Sequence, residues 1–197
     1  MSEKLADIQY NFINLPSRIE FENGHVISYL YDADGIKLRT THIIGSDTTV
    51  TDYCGNVIYE NGSRDKLLTE QGYFSIADKK FHYYIQDHQG NNRVVASQDG
   101  MIEEVNHYYP FGGIFASNSS VQPFKYNGKE LDKKNGLNLY DYGARQYDPV
   151  LGRWHTMDLM TEKYYKISPY TYCLNNPILL VDPNGMWPTW GGISRGL

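Results

Sequence analysis

The sequence predicts a mainly β protein built from antiparallel hairpins, and three observations carry that prediction. Asn-Gly or Asp-Gly pairs recur at Asn23-Gly24, Asp34-Gly35, Asn61-Gly62, Asp99-Gly100, Asn127-Gly128, Asn135-Gly136 and Asn184-Gly185. These pairs suit two-residue hairpin turns, in which both central residues take positive φ. Short runs of period two lie between them, with no helical stripe. Finally, the chain holds 18 tyrosines against 3 tryptophans and 7 phenylalanines. Tyrosine favours strands and pairs an apolar ring with a hydroxyl that needs a polar partner.

Taken in order, the alternating runs 25–31 (HVISYLY), 37–44 (KLRTTHII) and 81–86 (FHYYIQ) read as strands. One short helix is expected around 160–166. A loose repeat places Asp three residues before Gly at Asp32/Gly35, Asp52/Gly55 and Asp87/Gly90, each followed by strand-like residues. Its spacing is too irregular for a strict solenoid. Near the end, Ile178 to Val181 has the branched residues of an interior strand, and Asp182-Pro183-Asn184-Gly185 fits a type I turn.

Composition narrows the function classes. The 197 residues are enough to bury a core. A formal net charge of -5, spread without long like-charge runs, argues against nucleic acid as a partner. Apolar runs fall short of the roughly 18 residues of a membrane span, and the first residues do not form a signal peptide. Cys54 and Cys173 form no CxxC and leave a single disulfide open. The six histidines show no metal-ligand spacing, so neither a metal nor a cofactor is expected.

From Tyr83 onward, four motifs follow in order: YYIQDHQGNNRVV, EEVNHYYPFGG, FKYNGKELDKKNGLNLYDYGARQYDPVLGRWHTMD and SPYTYCLNNPILLVDPNGM. Together they resemble the RHS repeat-associated core domain, and the preceding segment resembles degenerate YD repeats. The resemblance implies YD-repeat hairpins over 1–82, an RHS core over 83–186 and a short tail over 187–197. It implies a β-sheet shell ending in a core plug, in a bacterial protein of polymorphic-toxin type, secreted or displayed at the cell surface. The rest of the shell, or a C-terminal cargo absent from this chain, would be its partner. The residues after Met186 are too few for a toxin domain, so cargo would lie elsewhere.

The resemblance also implies self-cleavage after an Asp-Pro-x-Gly-Leu type motif. Here the motif reads Asp182-Pro-Asn-Gly-Met186, which puts the scissile bond between Met186 and Trp187. The family's aspartate pair falls on Asp158 and Asp182, and a site arginine falls on Arg145. Two close carboxylates cannot both ionise easily, so one can activate water while the other donates a proton. Arg145 would orient a carboxylate through bidentate bonds. Each residue also has a structural reading: Asp182 as a turn former, Asp158 as a helix N-cap and Arg145 as a surface ion-pair partner. The chain departs from the family at Leu159, where proline is common, and at Met186, where leucine is common.

Two further functions stay open on sequence. Tyrosines exposed in a row would suit a surface adhesion or carbohydrate-binding module, whereas tyrosines lining an interior would suit a shell. A cargo-less remnant could serve as a decoy or immunity partner. A shell segment standing alone would carry an unpaired strand edge, which predicts self-association through sheet edges.

Overall fold

A computed structural model describes residues 5–163 and 165–190. Its largest feature is a 12-stranded antiparallel sheet in which each strand neighbours the next in sequence. The strands are β1 (Leu5–Tyr10), β2 (Pro16–Phe21), β3 (Val26–Tyr31), β4 (Lys37–Ile44), β5 (Asp47–Cys54) and β6 (Val57–Glu60). They continue as β7 (Ser63–Thr69), β8 (Gly72–Ser75), β9 (Lys80–Gln86), β10 (Asn92–Ser97), β11 (Ile102–Tyr108) and β12 (Ile114–Ser117). A 4-stranded sheet follows, formed by β13 (Glu130–Asp132), β14 (Leu139–Asp141), β15 (Gln146–Asp148) and β16 (Arg153–Trp154). A 2-stranded sheet pairs β17 (Leu180–Val181) with β18 (Thr189–Trp190).

The hairpin prediction is correct in outcome, and the turns show how it is met. Asn61-Gly62, Asn127-Gly128 and Asn135-Gly136 hold both residues at positive φ, as a two-residue hairpin turn requires. At Asn23-Gly24, Asp34-Gly35, Asp99-Gly100 and Asn184-Gly185, the glycine alone is at positive φ. These use a longer connection in which only one residue needs the left-handed region. Asn127-Gly128 and Asn135-Gly136 also lie in single 3-10 turns, Tyr126–Gly128 and Lys134–Gly136.

The loose repeat is a recurring five-residue turn. The Asp32 carboxylate accepts the N–H groups of Asp34 and Ile36, while the Asp32 N–H reaches the Ile36 carbonyl. Asp87 does the same with Gln89 and Asn91, and Asn11 does so with Ile13 and Leu15. The Asn11 copy was hidden because an amide replaces the carboxylate. Asp52 diverges: it lies within β5 and pairs with Arg39 at 2.5 Å.

Three other expectations change. The helix expected at 160–166 is a single 3-10 turn at Thr161–Lys163, and Tyr164 lies outside the described residues. The expected interior strand from Ile178 shrinks to Leu180–Val181, because the N–H groups of Leu179 and Leu180 both turn back to the Asn176 carbonyl. Ile178 and Leu179 are exposed. Both cysteines are free, Cys54 exposed and Cys173 buried. Of the tail 187–197, residues 191–197 lie outside the described residues.

The contacts divide the chain into two compact units. The first comprises 1–83 with 97–100 and 133–137. Its interior is aliphatic and mixed: Leu15, Ile19, Phe21, Ile27, Tyr29, Ile58 and Tyr73 are buried, along with the polar Thr40, His42 and His82. The second comprises 84–96, 101–132 and 138–197. Its core is aromatic: Tyr108, Tyr126, Tyr140, Tyr142, Tyr147, Trp154 and Tyr172 surround Leu131 and Cys173. The Tyr147 and Tyr172 rings stack at 4.1 Å between centroids.

Each buried hydroxyl shown here finds an acceptor, as a polar atom out of water must. Tyr142 and Tyr172 both donate to Asn127 Oδ1 at 2.7 Å, Tyr147 donates to the Phe111 carbonyl and Tyr126 to the Pro110 carbonyl. Gly112 closes this core: at φ +87, an added Cβ would meet the Tyr126 ring at 2.6 Å. Among the described residues, no helix is long and apolar enough to cross a membrane.

Candidate functional site

Arg145, Asp158 and Asp182 come together inside the second unit, each carried by a loop at the end of a short strand. Arg145 ends the β14–β15 turn, where the Asp141 carboxylate accepts the Gly143 N–H. Asp158 follows β16, with its N–H on the Pro169 carbonyl. Asp182 follows β17, and the Ala144 N–H donates to the Asn184 carbonyl, fastening the arginine turn to the aspartate turn.

The guanidinium divides its donors instead of gripping one carboxylate. Its Nε donates to the Gly185 carbonyl at 2.6 Å and its Nη1 to the Pro169 carbonyl at 3.3 Å. Its Nη2 lies 3.0 Å from Asp158 Oδ2 and 3.6 Å from Asp182 Oδ2. The bidentate pairing expected from sequence is therefore replaced by one nitrogen facing two carboxylates. The surface reading of Arg145 also falls, since the residue is 3% exposed and its guanidinium carbon sits over the Trp154 ring at 4.2 Å.

Asp182 forms the turn expected of it and also turns its carboxylate toward Arg145. Its Oδ1 accepts the N–H groups of Gly185 at 2.8 Å, Met186 at 3.1 Å, Asn184 at 3.3 Å and Trp187 at 3.3 Å. Gly185 is required at this turn. Its φ is +76, and a Cβ there would lie 3.1 Å from the Arg145 nitrogen. Burial raises the Asp182 carboxyl above its ordinary range, outweighing Arg145 and the backbone N–H donors, which favour the ionised form. Burial likewise lowers Arg145, against the pull of Asp158 and Asp182.

Asp158 faces the more open side, with a side chain 17% exposed against 1% for Asp182. Its Oδ1 accepts the Met160 N–H at 2.8 Å, and its carbonyl accepts both the N–H and the hydroxyl of Thr161. The N-cap reading is thus partly right. This local turn restrains the segment where proline is missing at Leu159: the Met160 N–H holds the carboxylate, and the Thr161 N–H and hydroxyl hold the main chain behind it.

A cleft of about 390 Å³, open solvent included, reaches the three residues. Trp154, Thr161, Pro169, Cys173 and Trp187 contribute to its walls. Burial pushes the Cys173 thiol up to about 12, which makes it a poor nucleophile. Among the described residues, no group of three or more His, Cys, Asp or Glu could hold a metal ion.

The sequence reading missed the residues that hold the Asp182 loop from outside. Lys129 Nζ donates to the Pro183 carbonyl at 2.5 Å and lies over the Tyr142 ring. Gln89 Nε2 donates to the carbonyls of Pro177 at 2.5 Å and Ile178 at 2.6 Å. Gln89 and Asn92 are both buried and hydrogen-bonded. No pattern in the sequence marks a lysine or glutamine that binds a distant backbone carbonyl.

A sequential antiparallel ladder joined to a tyrosine-cored unit defines a segment of a β-sheet shell of the RHS and YD-repeat class. The chain belongs to the teneurin YD-shell family, whose family model matches residues 3–178. Salivary gland surface protein 1 of Aedes aegypti is 30% identical over 94% of this chain and 6% of its own length. Toxin subunit YenC2 of Yersinia entomophaga is 36% identical over 46% of this chain and 10% of its own. The crystal structure of TcdB2-TccC3-TEV superimposes with a TM-score of 0.77 at 20% identity, covering 91% of this chain and 10% of that one. The chain thus spans a tenth or less of the length of these relatives.

Proposed function

We propose that this chain is a structural and carrier segment of a toxin-type shell that encloses cargo, and that its aspartate pair cuts the chain after Met186. In this reading residues 1–82 are YD-repeat wall, 83–186 are the core, and 187–197 begin what is released. One observation carries the cut. The Trp187 N–H, which belongs to the bond to be broken, lies on Asp182 Oδ1 while Asp158 and Asp182 share Arg145 Nη2.

The chemistry follows from the geometry. Asp158, on the open side, takes a proton from a water entering the cleft, and the hydroxide attacks the Met186 carbonyl carbon. Asp182, whose burial favours its acid form, gives its proton to the Trp187 nitrogen as the C–N bond breaks. The products are a Met186 carboxylate and a Trp187 amine. Arg145 keeps both carboxyl groups in place and, through the Gly185 carbonyl, holds the chain just before the bond. The cut loop lies between β17 and β18, whose pairing is only Leu180 with Trp190 and Val181 with Thr189. So short a pairing releases its far strand readily.

Tyrosine burial supports the shell over the adhesion module. Tyr108, Tyr126, Tyr140, Tyr142, Tyr147 and Tyr172 line an interior, while among the described residues of that stretch Tyr83, Tyr109, Tyr165 and Tyr170 are exposed and scattered along the sequence. Sheet edges offer the contact to the rest of the shell or to a second copy.

The test is the intact mass of the purified chain after incubation, beside Asp158→Asn and Asp182→Asn variants. A chain ending at Met186 in the wild type alone is expected. A break after position 182 in the wild type and in Asp158→Asn alike, absent from Asp182→Asn, would reflect acid lability of the Asp-Pro bond and would overturn the assignment.

A further inference from the structure

A second polar cluster lies buried in the second unit, and it shares no residue with the aspartate site. Strand alternation along β11 turns Glu104, Asn106 and Tyr108 to one buried face. Asn106 lies opposite Ser117 of β12, and Lys125 arrives from the segment that follows. Glu104 and Lys125 are 0% exposed and Asn106 is 1% exposed.

The hydrogen bonds converge on one oxygen. Glu104 Oε1 accepts from both Lys125 Nζ and Asn106 Nδ2, and Glu104 Oε2 accepts the Val121 N–H at 2.8 Å. The Ser117 hydroxyl, shared between the Ser119 carbonyl at 2.5 Å and Asn106 Oδ1 at 3.0 Å, stands against the amide oxygen, and Asn106 Nδ2 also reaches the Asn92 carbonyl at 3.2 Å. These partners fix which end of the amide faces Glu104.

An ion pair wholly out of water is a weak source of stability, because desolvation offsets its attraction. What this cluster does supply is the full set of groups for amide exchange. Lys125 is an amine, the Asn106 carboxamide is an electrophile whose leaving nitrogen touches the same oxygen as the amine, and Glu104 is a proton carrier between them. The Ser117 hydroxyl lies 3.0 Å from the oxygen on which negative charge would develop and can turn to it as that charge forms. Water, the competing nucleophile, is excluded by burial.

We propose that Lys125 and Asn106 become joined by an intramolecular isopeptide bond, with Glu104 carrying the protons. Glu104 takes a proton from the Lys125 ammonium, and the freed electron pair on Nζ attacks Asn106 Cγ. The carbonyl electrons move to Oδ1, beside the Ser117 hydroxyl. Glu104 then passes its proton to Nδ2, the carbonyl re-forms, and Nδ2 leaves as ammonia. Nζ returns its extra proton to Glu104, which ends protonated. No oxidant, reductant or external donor takes part. The bond clips β11 to the segment entering the Tyr126–Gly128 turn, a covalent strap within the fold. It is independent of the cut after Met186, because every atom involved lies before that bond.

The test is mass analysis of the wild-type chain under denaturing conditions, with tryptic peptide mapping. The expected result is a chain one ammonia lighter than its sequence, with a branched peptide joining Lys125 to Asn106 and no tryptic cut after Lys125. The variants Glu104→Gln and Lys125→Arg should lack the branched peptide. A linear peptide ending at an unmodified Lys125 in wild type overturns the proposal. So does an ammonia loss that persists in Glu104→Gln and maps to an Asn-Gly turn, which marks succinimide formation instead.

Discussion

Asp32 and Asp182 make nearly the same local turn and stand in opposite surroundings. Each carboxylate accepts N–H groups from the residues two and four positions ahead. The Asp32 turn connects β3 to β4, and its two backbone hydrogen bonds to the carboxylate are exposed. Asp182 is 1% exposed, lies 3.6 Å from Arg145 Nη2 and holds two further N–H groups, one of them from Trp187. The backbone solution is shared, and burial beside Arg145 turns one copy from a spacer into a chemical group. The units around them differ in the same sense. The first is a ladder with a largely aliphatic interior, while the second is an aromatic core whose hydroxyls are individually satisfied.

The largest expected effect breaks that difference at its source. Arg145→Met leaves Asp158 and Asp182 facing each other without a counter-charge, and should destabilise the second unit by about 3–5 kcal/mol, read from urea unfolding. The cut should vanish with it. If stability is unchanged, the two carboxylates do not depend on the arginine.

Gly185→Ala comes next. A left-handed φ and a close approach to Arg145 predict a loss of about 1–3 kcal/mol and a slower cut. Tyr147→Phe sharpens the comparison of cores: losing the hydroxyl leaves the Phe111 carbonyl without this donor, at about 1–2 kcal/mol. Asp32→Ala should produce the smallest effect, about 0.5–1.5 kcal/mol, with no change in the cut, because its turn is exposed and water replaces the lost bonds.

The pH dependence has a definite sign. The folded value of Asp182 is raised, so its acid form is favoured by folding. Its contribution to stability is full below the ordinary value of 3.8 and is lost as pH rises through the folded value. Cleavage should slow over that same rise, since Asp182 supplies the proton in the proposed cut. Asp148 runs the other way: the nearby His155 ring, 3.8 Å away, and the N–H groups of Val150 and Leu151 outweigh its burial and lower its carboxyl. Its stabilisation is present above the ordinary carboxylate range and fades as pH falls through the lowered value.

Much of the ladder was legible because turn chemistry and alternation are local. The runs 25–31, 37–44 and 81–86 became β3, β4 and β9 with boundaries within one residue at each end. Four of the Asn-Gly and Asp-Gly pairs were misread in type, since sequence alone does not say whether one residue or two must take positive φ. Ile178 and Leu179 looked like an interior strand by composition, yet the Asn176 carbonyl captured the backbone first. The site came from resemblance, because nothing local links Arg145 to Asp158 or Asp182. Glu104, Asn106 and Lys125 were invisible for a different reason. Alternation assigns residues to faces by polarity, and these polar side chains occupy the buried one.

The most direct test of the aspartate site is to incubate the chain in heavy-oxygen water across a range of pH and weigh the fragments. The account predicts one heavy oxygen in the new Met186 carboxylate, a rate that falls as pH rises, and no cut in Asp158→Asn. An intact chain at every pH, or a cut after Met186 that survives loss of Asp158, would contradict it.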